Sequence, residues 1–324
     1  MDRAAGQCGR CHESATVEIA RASLHLWEEP CISGEQGSGT IFFTGCPLGC
    51  VFCQNHNISD GTNGVAITTE ELTQIMLKLQ EMGANNINLV TPTHFTPQIV
   101  TALQAARTQN LTIPVVYNTS GYERVDTLKQ LDGLVDIYLP DFKYRSPKLA
   151  AKYSAAGDYP EVAKAALQEM FRQVGKPVFW APEEAVAKEA APKAETPKAG
   201  IRKEETPFLP TPREPGLLQK GIIVRHLLLP GNVRDSKRVV KYLYETYGDD
   251  IFMSLMCQYT PLPEVLGDEF PELNQRVTEE EYDELIDYAV DLGVTNAFTQ
   301  ESESASESFI PDFEHFDLAA FLEQ

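Results

Sequence analysis

Gly39-Thr-Ile-Phe-Phe-Thr-Gly45-Cys46-Pro-Leu-Gly-Cys50-Val-Phe-Cys53-Gln-Asn55 places three thiols within eight residues, directly after an apolar run that reads as a strand. Cysteines spaced C-x3-C-x2-C suit an iron–sulfur cluster, because four irons held by three thiolates leave one iron with an open coordination position. A structural zinc site wants four closed ligands, and no second cysteine pair follows downstream to complete one. His56 stands too close to Cys53 for the usual finger spacing. The seven cysteines, Cys8, Cys11, Cys31, Cys46, Cys50, Cys53 and Cys257, are odd in number, which argues against a disulfide scaffold.

Outward from this stretch, Thr40-Ile-Phe-Phe43 is a short apolar strand of the buried parallel kind, and the triad loop leaves its carboxyl end. Thr68-Thr-Glu-Glu71 is a capping-box sequence, and Leu72, Ile75, Met76, Leu79 and Met82 follow at helical spacing up to Gly83. The unit then repeats. Strands are predicted at Ile87-Asn-Leu-Val90, Ile113-Pro-Val-Val-Tyr117, Leu134-Val-Asp-Ile-Tyr-Leu139, Ile222 to Leu229 and Ile251 to Met256. Helices are predicted around Ile99 to Ala106 and Val125 to Leu131, then over 147–153, 160–174, 236–247 and 278–292.

Six alternations of strand and helix argue a parallel sheet covered by helices, and the fold class read from the chain is α/β, a partial (βα)6 TIM-type barrel. The polar residues favour a barrel. Cys46, Thr91, His94, Asn118, Ser120, Asp141, Lys143 and Gln258 fall at or just beyond strand carboxyl ends, the face that holds the active site in such barrels.

Length alone allows one large domain or two, and the unbroken alternation favours one. Residues 1–34 form a cysteine-bearing segment with Cys8-Gly-Arg-Cys11-His12, and 35–300 form the barrel. Residues 181–215 interrupt it with seven Pro and seven Ala, six Lys or Arg against seven Glu, and hardly any large apolar residue. Such a segment buries too little surface to offset ordering, so a disordered insert is predicted there. Residues 301–324 form an acidic tail with an aromatic end.

The formal charge of −20 is not spread evenly: residues 245–324 hold 21 Asp or Glu against the single Arg276, and the first 244 residues balance to zero. A nucleic-acid partner is therefore disfavoured. No apolar run reaches the ~18 residues needed to span a bilayer, and no charged-then-apolar leader opens the sequence. The expected setting is the cytoplasm, without a membrane.

The triad looks like the signature of the radical S-adenosylmethionine (SAM) enzymes. Its frame, Leu26-Trp-Glu-Glu-Pro-Cys31-Ile-Ser-Gly34 and Gly37-Ser-Gly-Thr40, is similar to a subgroup related to pyruvate formate-lyase activating enzymes. So are Asn88 to Phe95, Tyr138 to Tyr144, Val224 to Gly231 and Ser254 to Pro261. The resemblance runs from about residue 20 to 320 apart from the insert, and implies the same six-unit barrel. It also implies a longer cysteine-bearing segment ahead of the barrel, which this sequence enters partway; whether Cys8, Cys11 and Cys31 bind metal stays open.

The resemblance further implies that Cys46, Cys50 and Cys53 hold a [4Fe–4S] cluster whose free iron chelates SAM, and that reductive cleavage yields a 5′-deoxyadenosyl radical. An electron donor such as flavodoxin or ferredoxin is implied, and so is a glycyl radical enzyme as protein substrate. Phe52 stands where the family places an aromatic residue beside the adenine. The family's glycine-rich acidic motif after the second strand is replaced here by Thr91-Pro-Thr-His94, so the methionine amino group needs hydroxyls, carbonyls or another strand.

Asn118 and Ser120 are candidates for the cofactor's ribose or carboxylate. Asp141 and Lys143, alternating around Phe142, point to one face where they grip the zwitterionic methionine or simply pair with each other. His94 is a candidate acid–base group, or a hydrogen-bonding fixture. Two further readings stay open: a radical enzyme acting on a small molecule or peptide, and a non-catalytic iron–sulfur electron carrier. A zinc-bound scaffold is a weaker rival, because the polar residues at one barrel face have no purpose in it.

Overall fold

The structure, a computed structural model, describes residues 6–181, 215–262, 269–300, 313 and 316–323. The predicted insert and most of the acidic tail lie outside the described residues. Among the described residues, ten strands form one sheet: β1 (Val17–His25), β2 (Ser38–Phe43), β3 (Val65–Ile67), β4 (Ile87–Val90), β5 (Val115–Thr119), β6 (Ile137–Pro140), β7 (Val178–Phe179), β8 (Leu218–Leu227), β9 (Phe252–Met256) and β10 (Ala297–Phe298). Their order is β10-β9-β8-β6-β5-β4-β2-β1-β3, with β7 pairing β8 off the path.

From β2 through β9 every neighbour along this path is parallel and follows in chain order. Right-handed crossovers that always step the same way place the helices on one face and curl the sheet around the other. The two faces are distinct in the packing. Ile41, Leu89, Tyr117, Tyr138, Val224 and Leu255 join the helix-side core, whereas Val116, Leu139 and Ile223 pack around Ile32 on the concave side. The order does not close on itself, so the barrel is open, as the sequence predicts.

Among the described residues, six helices of two turns or more cover the outside: α1 (Thr69–Glu81), α2 (Thr96–Thr108), α3 (Pro147–Ser154), α4 (Tyr159–Val174), α5 (Val233–Tyr247) and α6 (Glu279–Leu292). The capping box that starts α1 is formed: Glu71 N–H donates to Thr68 Oγ1 at 3.1 Å, and Thr68 N–H to Glu71 Oε2 at 2.7 Å. Leu72, Ile75, Met76 and Leu79 are buried beneath it.

Several strand boundaries shift from the sequence reading. β5 starts at Val115, after Pro114, which has no N–H to donate to a ladder. Before β6, Leu134 is held in a turn by its N–H donating to Leu131 O at 2.9 Å. β8 begins four residues early, at Leu218, because β7 pairs with its first half. That pairing continues outward: Trp180 N–H donates to Leu217 O at 2.9 Å, and Gly216 N–H to Trp180 O at 3.1 Å.

β1 is the main addition. It runs antiparallel to β2 and also carries β3, so residues 17–25 extend the sheet beyond the first parallel strand. Beyond β1, Glu28, Glu29 and Ile32 fold back against the concave face, where Ile32 is 1% exposed. Among the described residues, no helix is long and apolar enough to cross a membrane.

Candidate active site

The cysteine loop leaves β2 through Thr44 and Gly45. Gly45 sits at φ +73°, where a Cβ would collide with the Cys11 carbonyl and stand 2.6 Å from Glu13 Cγ, so only glycine lets the N-terminal segment close onto the loop. Glu13, buried, accepts the Thr44 hydroxyl at 2.7 Å. Cys46, Cys50 and Cys53 line one pocket of about 220 Å³, with Arg10, His12 and Asp60 at its rim. The Arg10 guanidinium donates to the carbonyls of Ala155 (2.9 Å) and Ser154 (3.1 Å) at the end of α3.

Loops from the next three strands converge beside this pocket. After β4, Thr91 adopts φ +57°, a left-handed conformation costly for a β-branched residue and held by its N–H donating to Asn118 O at 2.8 Å. Two residues on, the Thr93 hydroxyl donates to Glu123 Oε1, as does that of Thr119. His94 Nε2 lies 2.6 Å from Thr44 O, which ties this loop to the cysteine loop. His94 is buried beneath that contact.

After β5, Ser120 is buried, and its Oγ has no hydrogen-bond partner among the described residues. After β6, Asp141 and Lys143 lie on one face and pair at 2.6 Å. Burial opposes the Lys143 charge, but Asp141 and then Cys50 outweigh it and hold its pKa well above the ordinary lysine value. Tyr159, from the first turn of α4, donates to the carbonyls of Ser120 (2.8 Å) and Asp141 (3.0 Å) and accepts from Lys143 N–H at 3.0 Å. Phe52 is buried under the cysteine loop, with its ring edge-on to Tyr259 at 6.3 Å.

Residues 40–179 match the family described as Radical SAM superfamily. The matched stretch runs from β2 to β7 and includes the cysteine triad. Over 273 residues it is 26% identical to an uncharacterised protein of Methanocaldococcus jannaschii, covering 82% of this chain and 65% of that protein, just under two thirds of its length. Among solved structures it is similar to SuiB of Streptococcus suis bound to the precursor peptide SuiA (13% identity, 85% of this chain and 52% of that one, TM-score 0.48). It is also similar to a domain of pyruvate-formate lyase-activating enzyme from Bacteroides vulgatus (14%, 65% and 94%, TM-score 0.38). A third similarity is to the FeFe-hydrogenase maturase HydG of Carboxydothermus hydrogenoformans (15%, 86% and 62%, TM-score 0.42).

Radical SAM domains typically bind a [4Fe–4S] cluster and SAM, and generally catalyse radical oxidoreductive reactions. The donor set of this chain fits such a cluster. Burial pushes all three thiols upward, Cys53 to about 11, and Cys46 is further opposed by Cys50 and Cys53. Three mutually repelling thiolates in one pocket call for a cationic centre. Among the described residues no three His, Cys, Asp or Glu side chains close on a single ion. In a cubane each cysteine binds a different iron, so three sulfurs around a wider pocket suit it better than one zinc.

The other cysteines do not join the triad's pocket. Cys8 is exposed, and Cys31 packs on the concave core with its thiol pushed up to about 12, by burial first and then by Glu29. Three features around the site escape the sequence. Glu123 is an isolated acid in a loop, Tyr159 reads as an ordinary helix residue, and Arg225 meets Glu28 and Glu29 across almost 200 positions. The adjacent Glu28-Glu29 before Pro30 is the one local signal of a buried charge cluster.

Proposed function

We propose that this chain is a radical SAM enzyme that binds a [4Fe–4S] cluster through Cys46, Cys50 and Cys53, and that it works as an activase of the kind that modifies a protein partner. The observation that carries the reading is the three cysteines lining one pocket, with the Asp141–Lys143 pair within electrostatic reach of Cys50. When bound and reduced, the cluster supplies the electron that cleaves SAM to methionine and a 5′-deoxyadenosyl radical.

The protein's own residues bind, orient and exclude water. Lys143 and Asp141 offer one charge of each sign to the methionine carboxylate and ammonium. Thr91, Asn118 and Ser120, at the ends of β4 and β5, offer hydroxyl and amide groups to the rest of the cofactor, and Phe52 offers an apolar surface. The strained Thr91 supports this assignment, since such backbone persists where the surroundings over-determine it, as they do at binding sites. A one-electron donor of the flavodoxin or ferredoxin type in the cytoplasm completes the scheme, and the hydrogen donor is a glycine of the partner.

The test is anaerobic reconstitution followed by dithionite and SAM, with 5′-deoxyadenosine as the readout and Cys50→Ala as control. Product from the parent protein alone supports radical chemistry. A full cluster without product in any condition sinks it and leaves an electron carrier. Incubation with candidate glycyl radical enzymes then separates the activase reading, which requires a protein-based glycyl radical signal, from action on a small molecule or peptide.

A further inference from the structure

Cys50 is bonded to something other than its own loop. Ser154 Oγ lies 2.9 Å from Cys50 Sγ, and Tyr144 Oη lies 2.9 Å from Ser154 Oγ. Ser154 is fully buried and Tyr144 is 1% exposed, so water does not compete for these groups. A serine in a helix ordinarily returns its hydroxyl to the carbonyl one turn back. Ser154, the last residue of α3, instead turns toward the cysteine loop.

The proton inventory gives the chain a direction. A cysteine that ligates iron is a thiolate and can only accept, so the single Ser154 proton goes to Cys50 Sγ. The Ser154 oxygen is then free to accept, and Tyr144 donates to it. The end of α3 is also fixed from outside the relay: Val51 N–H donates to Tyr153 O at 2.9 Å, and Arg10 binds the Ser154 and Ala155 carbonyls. The hydroxyl is therefore held in place by the backbone and not only by the sulfur it serves.

We propose that Tyr144 and Ser154 are positioning residues that raise the reduction potential of the iron–sulfur centre through Cys50. The inference rests on the cluster reading above. Hydrogen bonds to ligand sulfur favour the more negative, reduced state, and linked donors polarise one another in a dry site. The step concerned is the addition of one electron from dithionite or a flavodoxin-type donor, with no proton transferred and no bond broken.

The experiment is an EPR-monitored redox titration of the reconstituted wild-type, Ser154→Ala and Tyr144→Phe proteins, with iron per chain and the visible spectrum measured alongside. Ser154→Ala is expected to make reduction about tenfold less favourable, a shift of about 59 mV to more negative potential for one electron. Tyr144→Phe is expected to shift it less, in the same direction, with iron content unchanged. Wild-type potentials in both variants overturn the proposal. Loss of iron in Ser154→Ala together with a wild-type potential in Tyr144→Phe also overturns it, because the serine is then only structural. A wild-type protein that takes up no iron–sulfur centre fails the cluster reading itself, which is a different result.

Discussion

Arg225 and Glu29 form a two-pronged ion pair inside the barrel, with Nε to Oε1 at 2.8 Å and a terminal nitrogen to Oε2 at 2.7 Å. Glu28 binds the same guanidinium and also accepts the Asn88 amide at 2.7 Å. Two carboxylates thus depend on one cation. Burial works to raise the Glu29 pKa, but Arg225 outweighs it, so Glu29 lies below the ordinary glutamate value. Arg225→Met should destabilise the fold by about 3–5 kcal/mol, since it leaves both acids uncompensated. Adding Glu28→Gln and Glu29→Gln should recover part of that loss. Urea unfolding of the three proteins checks this, and an Arg225→Met protein as stable as wild type would contradict it.

Glu123 shifts the other way. Burial pushes its carboxyl up to about 7, against the hydroxyls of Thr119 and Thr93. A glutamate raised in the folded state is ionised first in the unfolded chain, so stability falls as pH climbs from its unfolded value near 4.5 to about 7. The penalty is on the order of 3 kcal/mol above that window and absent below it. Glu123→Gln should therefore be the more stable protein at pH 8 and show no advantage at pH 4. Equal stability of the two proteins at both pH values would count against a raised pKa.

Thr91 holds a backbone conformation suited to glycine. Thr91→Gly should raise folding stability by about 1 kcal/mol through relief of that strain. It should also weaken SAM binding, because the hydroxyl and the fixed loop are lost. Thermal melts and equilibrium binding with the reconstituted protein test the two halves separately.

Cys8 is exposed and outside the triad's pocket. Cys8→Ser should leave iron per chain unchanged after reconstitution, whereas Cys53→Ser should lower it. Iron and sulfide assays decide, and a drop in the Cys8→Ser protein would point to a second metal site.

The six parallel strands β2, β4, β5, β6, β8 and β9 were legible because each is an apolar run with a helical period behind it, and the triad because its spacing is local. β1 was not legible. Its alternation is interrupted by an irregularity between Ile19 and Arg21, so no clean period of two survives. β3, β7 and β10 have three residues or fewer and carry no period at all. The shared face of Asp141 and Lys143 follows from strand geometry, and their ion pair was one of two readings available. The Ser154–Cys50 and Arg225–Glu29 contacts bridge residues more than 100 positions apart, and nothing local announces such meetings.

The ladder at Trp180 and Leu217 bears on how this protein tolerates new material. Trp180 on one side and Gly216 and Leu217 on the other are held together by backbone hydrogen bonds, as a paired stem at the edge of the described barrel. Closing a loop on such a stem costs about 0.6 kcal/mol for each doubling of its length. The stem is thus a splice point: a short turn, a reporter domain or an affinity handle grafted between Ala181 and Pro215 leaves the strand register, and the loops of the site, where they are.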